Sequence, residues 1–118
     1  NLFPENRYNS HFLIEARIPK VNNEKSLNPL TRQLLADKLA TLHQLALADG
    51  QIVKTGALLI VPATNQVITK DGQVATGLFS CGIPTEGIHW LTAAVARPGV
   101  DPWNMRDMDR IAATIFNS

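Results

Sequence analysis

The sequence has little of what several broad classes of function require. It contains one cysteine, Cys81, so it cannot form an internal disulfide, and an oxidising compartment is not indicated. Its histidines, His11, His43 and His89, are far apart and lack the Cys or His spacing of metal sites, so no metal centre is predicted. The 11 Lys and Arg residues are scattered without a basic stripe, so no nucleic-acid partner is predicted.

Long apolar runs are also absent. No stretch approaches the roughly 20 residues needed to span a bilayer, and no signal-peptide pattern opens the chain. We therefore expect a soluble, cytoplasmic protein with no membrane partner. The 118 residues, 45% of them hydrophobic, suffice for one core, so residues 1–118 are expected to be a single domain or a fragment. The chain begins at Asn1 rather than at Met, which suggests a segment cut from a longer protein. A processed or trimmed chain would begin in the same way.

The first half of the chain predicts a strand followed by a long helix. Alternating apolar residues predict the strand over 11–19. Asn28 followed by Pro29 is a favourable N-cap and first-turn pair. From there apolar residues recur at helical spacing to about Ala48, and Gly50 is interpreted as the helix stop. The predicted apolar face consists of Leu30, Leu34, Leu35, Leu39, Leu42 and Ala46.

The middle of the chain predicts two to four short strands. The segments QIVKTG, ALLIVP, QVITKDGQVA and GLFSCG are rich in β-branched residues and are separated by Gly, Pro, Asn or Asp-Gly turn signals. Residues 70–73, Lys-Asp-Gly-Gln, are the clearest tight turn, because Asp-Gly adopts the positive φ values that two-residue hairpins need.

Two further helices are predicted near the end, over about 86–96 and from about 102 onward. Asp101 can cap the last helix, and Pro102 suits its first position. Its predicted buried stripe is Met108, Ile111, Ala112, Ile115 and Phe116. The elements together predict an α/β or α+β fold with a small mixed sheet flanked by about three helices.

The stretch LFSCGIPTEGIHW, residues 78–90, is the main functional candidate. It runs from a predicted strand through a turn with Gly82, Pro84 and Gly87 into a predicted helix, and ligands bind at such strand ends in α/β sheets. N–H groups at the helix start would carry partial positive charge. Glu86 in the first helical turn would repel a phosphate, so a neutral cofactor carbonyl or hydroxyl fits better. The spacing of Gly82 and Gly87 more often marks a tight turn whose glycines only avoid clashes. The pattern alone favours this structural interpretation over a ligand site.

Other residues give weaker indications. Cys81 is interpreted as a small buried side chain, although a position before a helix would favour a thiolate if it were exposed. His89 could be catalytic or stack on a ring, but with no partner carboxylate in view a structural role is more common. Glu15 and Arg17 could pair with each other, and the charges at 106–110 are interpreted as a solvated helix face. No catalytic triad or carboxylate pair is identifiable, so catalytic residues stay unassigned.

Four blocks carry a family resemblance that covers nearly the whole chain. They are LIEARIPK (13–20), LNPLTRQLLADKLA (27–40), VPATNQVITKDGQVATGLFSCGIPTEGIHWLTAAVARPGVD (61–101) and RDMDRIAATIF (106–116). In this order they resemble the C-terminal part of bacterial FAD-NAD(P)-binding proteins, a flavoprotein-like family with a Rossmann-type FAD domain. The most specific block is GIPTEGIHWLTAAVARPGV.

The resemblance implies a partial cofactor site. GLFSCG would be the last sheet strand of the FAD domain, and the turn and helix after it would approach the ribityl chain and flavin ring. The implied cofactor is FAD in the full-length protein, with NAD(P) left open, and the implied partner is the N-terminal remainder of the same protein. The implied cofactor-binding residues are Cys81, Gly82, Ile83, Pro84, Thr85, Gly87, Ile88, His89 and Trp90.

Two departures from the family pattern shape the functional expectation. Ile83 follows Gly82 where many FAD oxidoreductases have an Asp, and the glycine-rich dinucleotide fingerprint does not occur in these 118 residues. We therefore expect the C-terminal part of a flavin-dependent oxidoreductase, contributing one wall of an FAD site and inactive alone. The alternative is a noncatalytic interaction or oligomerisation domain, in which exposed apolar surfaces would favour a homodimer.

Overall fold

The computed structural model describes residues 11–12, 14, 20–89, 98–99 and 102–117. The strand predicted over 11–19 falls mostly outside these ranges. Glu15, Arg17, Trp90 and Asp101 also lie outside them, as does most of the helix predicted over 86–96. The positions that the structure does describe contain two α-helices, two 3₁₀ turns and four strands.

Helix α1 spans Pro29–Ala36 and begins where the sequence predicts. The Asn28 side-chain oxygen accepts hydrogen bonds from the backbone N–H groups of Leu30 at 2.9 Å and Thr31 at 3.4 Å. Pro29 occupies the first turn, where its missing N–H costs nothing. Capping depends only on adjacent residues, which is why this start could be predicted from the sequence.

The predicted end of this helix near Ala48 is wrong. The helix ends at Ala36, and Lys38 adopts a left-handed conformation with φ 61°. The N–H groups of Leu39 and Ala40 both donate to the Leu34 carbonyl, at 2.9 and 3.3 Å, which closes the last turn. The second half of the predicted helix is instead strand β1, Leu42–Ala46.

Strand β1 pairs antiparallel with β2, Ile52–Leu58, as a hairpin. The Leu47 N–H donates to the Gln51 carbonyl at 2.8 Å, and Gly50 between them has φ 86°. Gly50 is therefore a hairpin glycine, and its interpretation as a helix stop is wrong. Cross-strand pairing with β2 outweighs the helical spacing of the leucines, because strand formation depends on the neighbouring strand as well as on the local sequence.

The second hairpin joins β3, Gln66–Ile68, to β4, Val74–Phe79, also antiparallel. The turn predicted at 70–73 is confirmed, with Gly72 at φ 80°. The closing bond runs from the Thr69 N–H to the Gln73 carbonyl at 2.9 Å, so the loop holds three residues rather than two. A bridge between Ile60 and Val67 joins the two sheets. The mixed α and β class is confirmed, and the named strand pairs are antiparallel.

Among the described residues, the hydrophobic core is small and lies between α1 and the strands. Its buried members Ala40, Leu58, Ile60 and Val67 are packed against by partly buried residues of α1, β1, β4 and the segment after β4. Many large apolar side chains are exposed instead, among them Phe12, Ile14, Leu27, Leu30, Ile52, Ile83, Met108, Ile115 and Phe116. Exposure on this scale is typical of a surface that meets another polypeptide.

Helix α2 spans Trp103–Phe116. The prediction of its buried face is wrong. Pro102 is its N-cap rather than its first residue. The predicted apolar stripe faces solvent, with Met108 53%, Ile115 52% and Phe116 86% exposed. Asp107, predicted to be solvated, is completely buried. Neither described helix has the length and apolar character that crossing a bilayer requires.

Candidate functional site

The segment predicted to face a cofactor forms a compact loop, Gly82–His89, immediately after β4. It contains a 3₁₀ turn at Ile83–Thr85, after which Glu86 is extended with φ −62° and ψ 124°. No helix passes through residues 86–89. The predicted helix start near Glu86 or Ile88 is therefore wrong, and residues 90–97 lie outside the described part of the chain.

The backbone N–H groups of this loop bond within the loop itself. The Thr85 and Glu86 N–H groups donate to the Gly82 and Ile83 carbonyls, both at 3.0 Å. The Thr85 carbonyl accepts from Ile88 at 3.0 Å and from His89 at 3.2 Å. These donors therefore do not form the open, ligand-facing helix terminus that the sequence predicts. The electrostatic preference for a neutral ligand, which rested on Glu86 in a first helical turn, loses its basis.

Strand β2 and residues 21–25 hold the loop in place. Thr85 is completely buried, and its hydroxyl donates to the Gly82 carbonyl at 2.8 Å. The buried Asn23 amide donates to the carbonyls of Gly56 at 2.8 Å and Pro84 at 3.1 Å. One side chain thus joins the loop, strand β2 at Gly56 and a 3₁₀ turn at Asn23–Lys25. Satisfied buried amides of this kind fix backbone geometry.

An open cleft of about 510 Å³ lies beside the loop. One side carries Ile83, Pro84 and Glu86, and the other carries Lys20 with amide and hydroxyl side chains at Asn22, Ser26, Asn28 and Thr31. Ile83 is 55% exposed, so it presents apolar surface at the edge of this cleft. The cleft therefore combines one apolar wall with several groups that bond hydroxyls and carbonyls.

The predicted site residues occupy different environments. Thr85 and His89 are buried, Ile83 is exposed, and Trp90 lies outside the described residues. The remaining predicted residues are half-buried, namely Cys81, Gly82, Pro84, Gly87 and Ile88. The structure thus keeps them in one continuous segment but directs only part of it toward open space.

His89 has a carboxylate partner that sequence spacing does not reveal. Its Nδ1 lies 3.2 Å from Asp107 Oδ2, and its Nε2 lies 3.2 Å from the Pro62 carbonyl oxygen. Both ring nitrogens of His89 therefore face oxygen atoms of other residues. With both nitrogens engaged and only 8% of the residue exposed, the structural role predicted as the more common one fits this geometry. Asp107 lies 18 residues from His89 in the sequence, so the pairing of these two residues could not be predicted from sequence spacing.

The contact continues into a buried polar network around α2. Asp107 also accepts a hydrogen bond from the Arg110 guanidinium. Arg110 Nε in turn donates to Asn65 Oδ1 at 3.3 Å, and the buried Asn65 amide donates to the Ser80 carbonyl at 3.0 Å. The network ties α2 to the segment before β3, to the end of β4 and to the Gly82–His89 loop. It belongs to the architecture of the loop rather than to an open active site.

Cys81 is not set up as a nucleophile. Burial raises the pKa of its thiol, and the nearby negative charge of Asp107 raises the pKa further. The predicted helix dipole that would have favoured a thiolate is not formed at residues 86–89. Within the described ranges, no cluster of three His, Cys, Asp or Glu side chains is placed to hold a metal ion.

Three longer proteins are similar to this chain. The L-aspartate N-monooxygenase (nitrosuccinate-forming) of Streptomyces davaonensis is 33% identical over 111 residues, which is 94% of this chain and 17% of that protein. The enzyme of the same name from Streptomyces cremeus is 32% identical over 115 residues, 97% of this chain and 17% of that protein. Nitrosuccinic acid synthase npaA of Aspergillus oryzae is 37% identical over 106 residues.

The similarity covers the chain but only a small part of these relatives. The chain spans about a sixth of their length, 16 to 17% of each. No protein-family model matches it. The relatives include a fungal protein, so the similarity extends beyond the bacterial proteins of the predicted family. Nearly all of this chain is thus similar to one section of much longer enzymes, two of which are named as monooxygenases.

Proposed function

We propose that this chain is the C-terminal part of a flavin-dependent oxidoreductase that oxygenates the amino group of an amino acid such as L-aspartate. The observation that carries this proposal is about one-third identity across 90 to 97% of the chain to a section of enzymes named for that reaction. Because the section is a sixth of their length, the chain alone is expected to be inactive.

In this proposal, the segment Cys81–Trp90 forms one wall of the FAD site. The cleft beside the loop fits part of such a cofactor: Lys20 and its neighbouring amides and hydroxyls suit ribityl hydroxyls, and Ile83 suits the apolar part of a ring. The loop N–H groups bonded within the loop are not available for this contact. The side chains and the cleft, rather than a helix terminus, would therefore hold the cofactor.

A bound flavin would supply the redox chemistry, with molecular oxygen as the oxidant and NAD(P)H as one class of reductant. The part of this chain that the structure describes would supply position only. Asn23 and Thr85 hold the loop rigid, so that Ile83 is presented at a fixed place. We assign His89 no acid or base role in the reaction, since both of its ring nitrogens are engaged.

A second candidate function is a noncatalytic association domain. The observation that favours it is the large number of exposed apolar side chains, compared with few buried ones, in the part of the chain that the structure describes. Under this alternative, two copies would cover these surfaces for each other, and no flavin would be involved.

The test compares two isoleucines in the full-length polypeptide. Ile83 is 55% exposed beside the cleft, and Ile52 is 68% exposed on β2. We expect Ile83→Asp to weaken flavin binding about tenfold, equivalent to about 1.4 kcal/mol, because a carboxylate would replace apolar surface against the ring. Ile52→Asp is the matched control and should leave the flavin dissociation constant unchanged. Flavin fluorescence quenching measures both.

The same preparation separates the two candidate functions. A full-length protein that copurifies with flavin and forms nitrosuccinate from L-aspartate supports the oxidoreductase. A colourless protein that does not bind added FAD would contradict it. Equal flavin affinity in the Ile83 and Ile52 variants would remove the Gly82–His89 loop from the site while leaving the reaction class in place.

A further inference from the structure

Helix α2 has two faces with reversed polarity. Its inner face carries Asp107, which is completely buried, and Arg110, which is partly buried. Its outer face carries Met105, Met108 and Ile115, which are 45, 53 and 52% exposed. A surface helix on a self-contained domain usually has the opposite arrangement. The outer apolar stripe of α2, defined as Met105, Met108, Ala112, Ile115 and Phe116, therefore needs a covering surface.

The buried network prevents the helix from rotating to cover this stripe. Asp107 is held by His89, and Arg110 is held by Asn65, both across tertiary contacts. Turning the stripe inward would break these contacts. The carboxylate and the guanidinium would then be exposed or left without their partners. The outward direction of the stripe is thus set by the polar contacts on the opposite face.

The spacing within the stripe indicates what kind of surface covers it. Met105, Met108, Ala112 and Ile115 follow one another at steps of three, four and three residues, the spacing of a helix-packing seam. Small Ala112 at the centre allows a second helix to approach closely, and flexible methionines on one side adapt to its surface. A helix crossing at roughly 20° is the partner that such a seam accommodates.

We propose that the outer stripe of α2 packs against an apolar helix in the portion of the longer polypeptide that lies outside this chain. The inference rests on the proposed function, in which more than four-fifths of the enzyme lies elsewhere. A second copy is the less suitable occupant: a helix of 14 residues is about 21 Å long, and one stripe on it provides far less than the roughly 800 Å² per partner of a stable dimer. A covalently connected partner avoids most of the cost of association.

Two neighbouring alanines provide the test. Ala112 lies in the stripe and Ala113 does not, yet both are exposed in the middle of α2. We expect Ala112→Glu to lower the thermal midpoint of the full-length polypeptide by at least about 5 °C, because a carboxylate would be buried in the seam. Ala113→Glu should shift it by less than about 1 °C, and neither change should destabilise the 118-residue chain.

Three outcomes would overturn the proposal. Equal midpoints for the two variants in the full-length polypeptide would show that the stripe is uncovered there. Destabilisation of the 118-residue chain by Ala112→Glu would show that the chain covers its own stripe. A dimer of this chain that Ala112→Glu dissociates, measured by sedimentation, would assign the stripe to a second copy. Flavin content, measured in parallel, tests the proposed function separately, since a colourless protein with the expected alanine difference would refute only that function.

Discussion

Replacing Asp107 with alanine should destabilise the fold by about 3 kcal/mol, because it removes the charge at the centre of the buried network. The side chain is completely buried and receives hydrogen bonds from both His89 and Arg110. Its loss leaves the His89 Nδ1 without its acceptor, at a cost of about 1–3 kcal/mol for a buried polar group. The Arg110 side chain is 30% exposed, so water can replace part of its interaction, and its contribution is smaller.

The measurement is urea unfolding followed by far-ultraviolet circular dichroism, with thermal unfolding alongside. A loss of about 3 kcal/mol corresponds to a midpoint about 10–15 °C lower for a chain of this size. Asp107→Asn keeps the shape and one acceptor oxygen and should lose about 1–2 kcal/mol.

Asp109→Ala is the matched control for this prediction. It removes the same side chain from the same helix two positions away, where Asp109 is exposed. We expect its effect to stay within about 0.5 kcal/mol. If Asp107→Ala and Asp109→Ala destabilise equally, the network does not hold α2, and the account of its fixed orientation is refuted.

Three further predictions concern other contacts. Gly56→Ala should cost more than Gly72→Ala: both glycines have positive φ, but a Cβ at Gly56 would overlap a backbone carbonyl, whereas one at Gly72 meets open space and should cost only about 1–2 kcal/mol. Asn23→Ala should cost about 1–3 kcal/mol by urea unfolding, while Asn22→Ala, which removes an exposed cap, should cost less than about 1 kcal/mol. The raised pKa of Cys81 predicts slow alkylation of its thiol at pH 8. It also predicts that the free energy of unfolding falls at alkaline pH, because the thiol ionises at lower pH in the unfolded chain than in the folded one. Cys81→Ala should abolish this fall.

The two hairpins show how far local signals reach. Asp-Gly-Gln occurs at 49–51 and again at 71–73, and in both copies Asp-Gly ends a three-residue hairpin loop, 48–50 and 70–72. The second copy could be predicted because strand-like residues surround it. The first copy is predicted to be a helix stop instead, because Leu39, Leu42 and Ala46 continue the spacing of the preceding helix. The repeated tripeptide was the available signal, and long-range pairing with β2 decided the outcome.

The candidate site was predictable as a segment but not as a geometry. Residues 82–89 could be identified as a conspicuous turn after a strand, and they do form one continuous loop there. Their hydrogen bonds could not be predicted. The Thr85 carbonyl accepts from two backbone N–H groups, whereas in a helix these two groups would donate to different carbonyls. The partnership of His89 with Asp107 depends on how α2 docks, which no local spacing encodes.

By itself, the sequence determined the features that adjacent residues control: the capped start of α1, the Asp-Gly turn at 70–73, the short strands after Gly50 and the existence of α2. Tertiary structure alone decided where α1 ends and which face of α2 is buried. The physical reason is that helical periodicity reports only that one face is apolar. Whether that face turns toward this core or toward another part of the polypeptide depends on the free energy of the contacts available, and here the Asp107 network occupies the inner position.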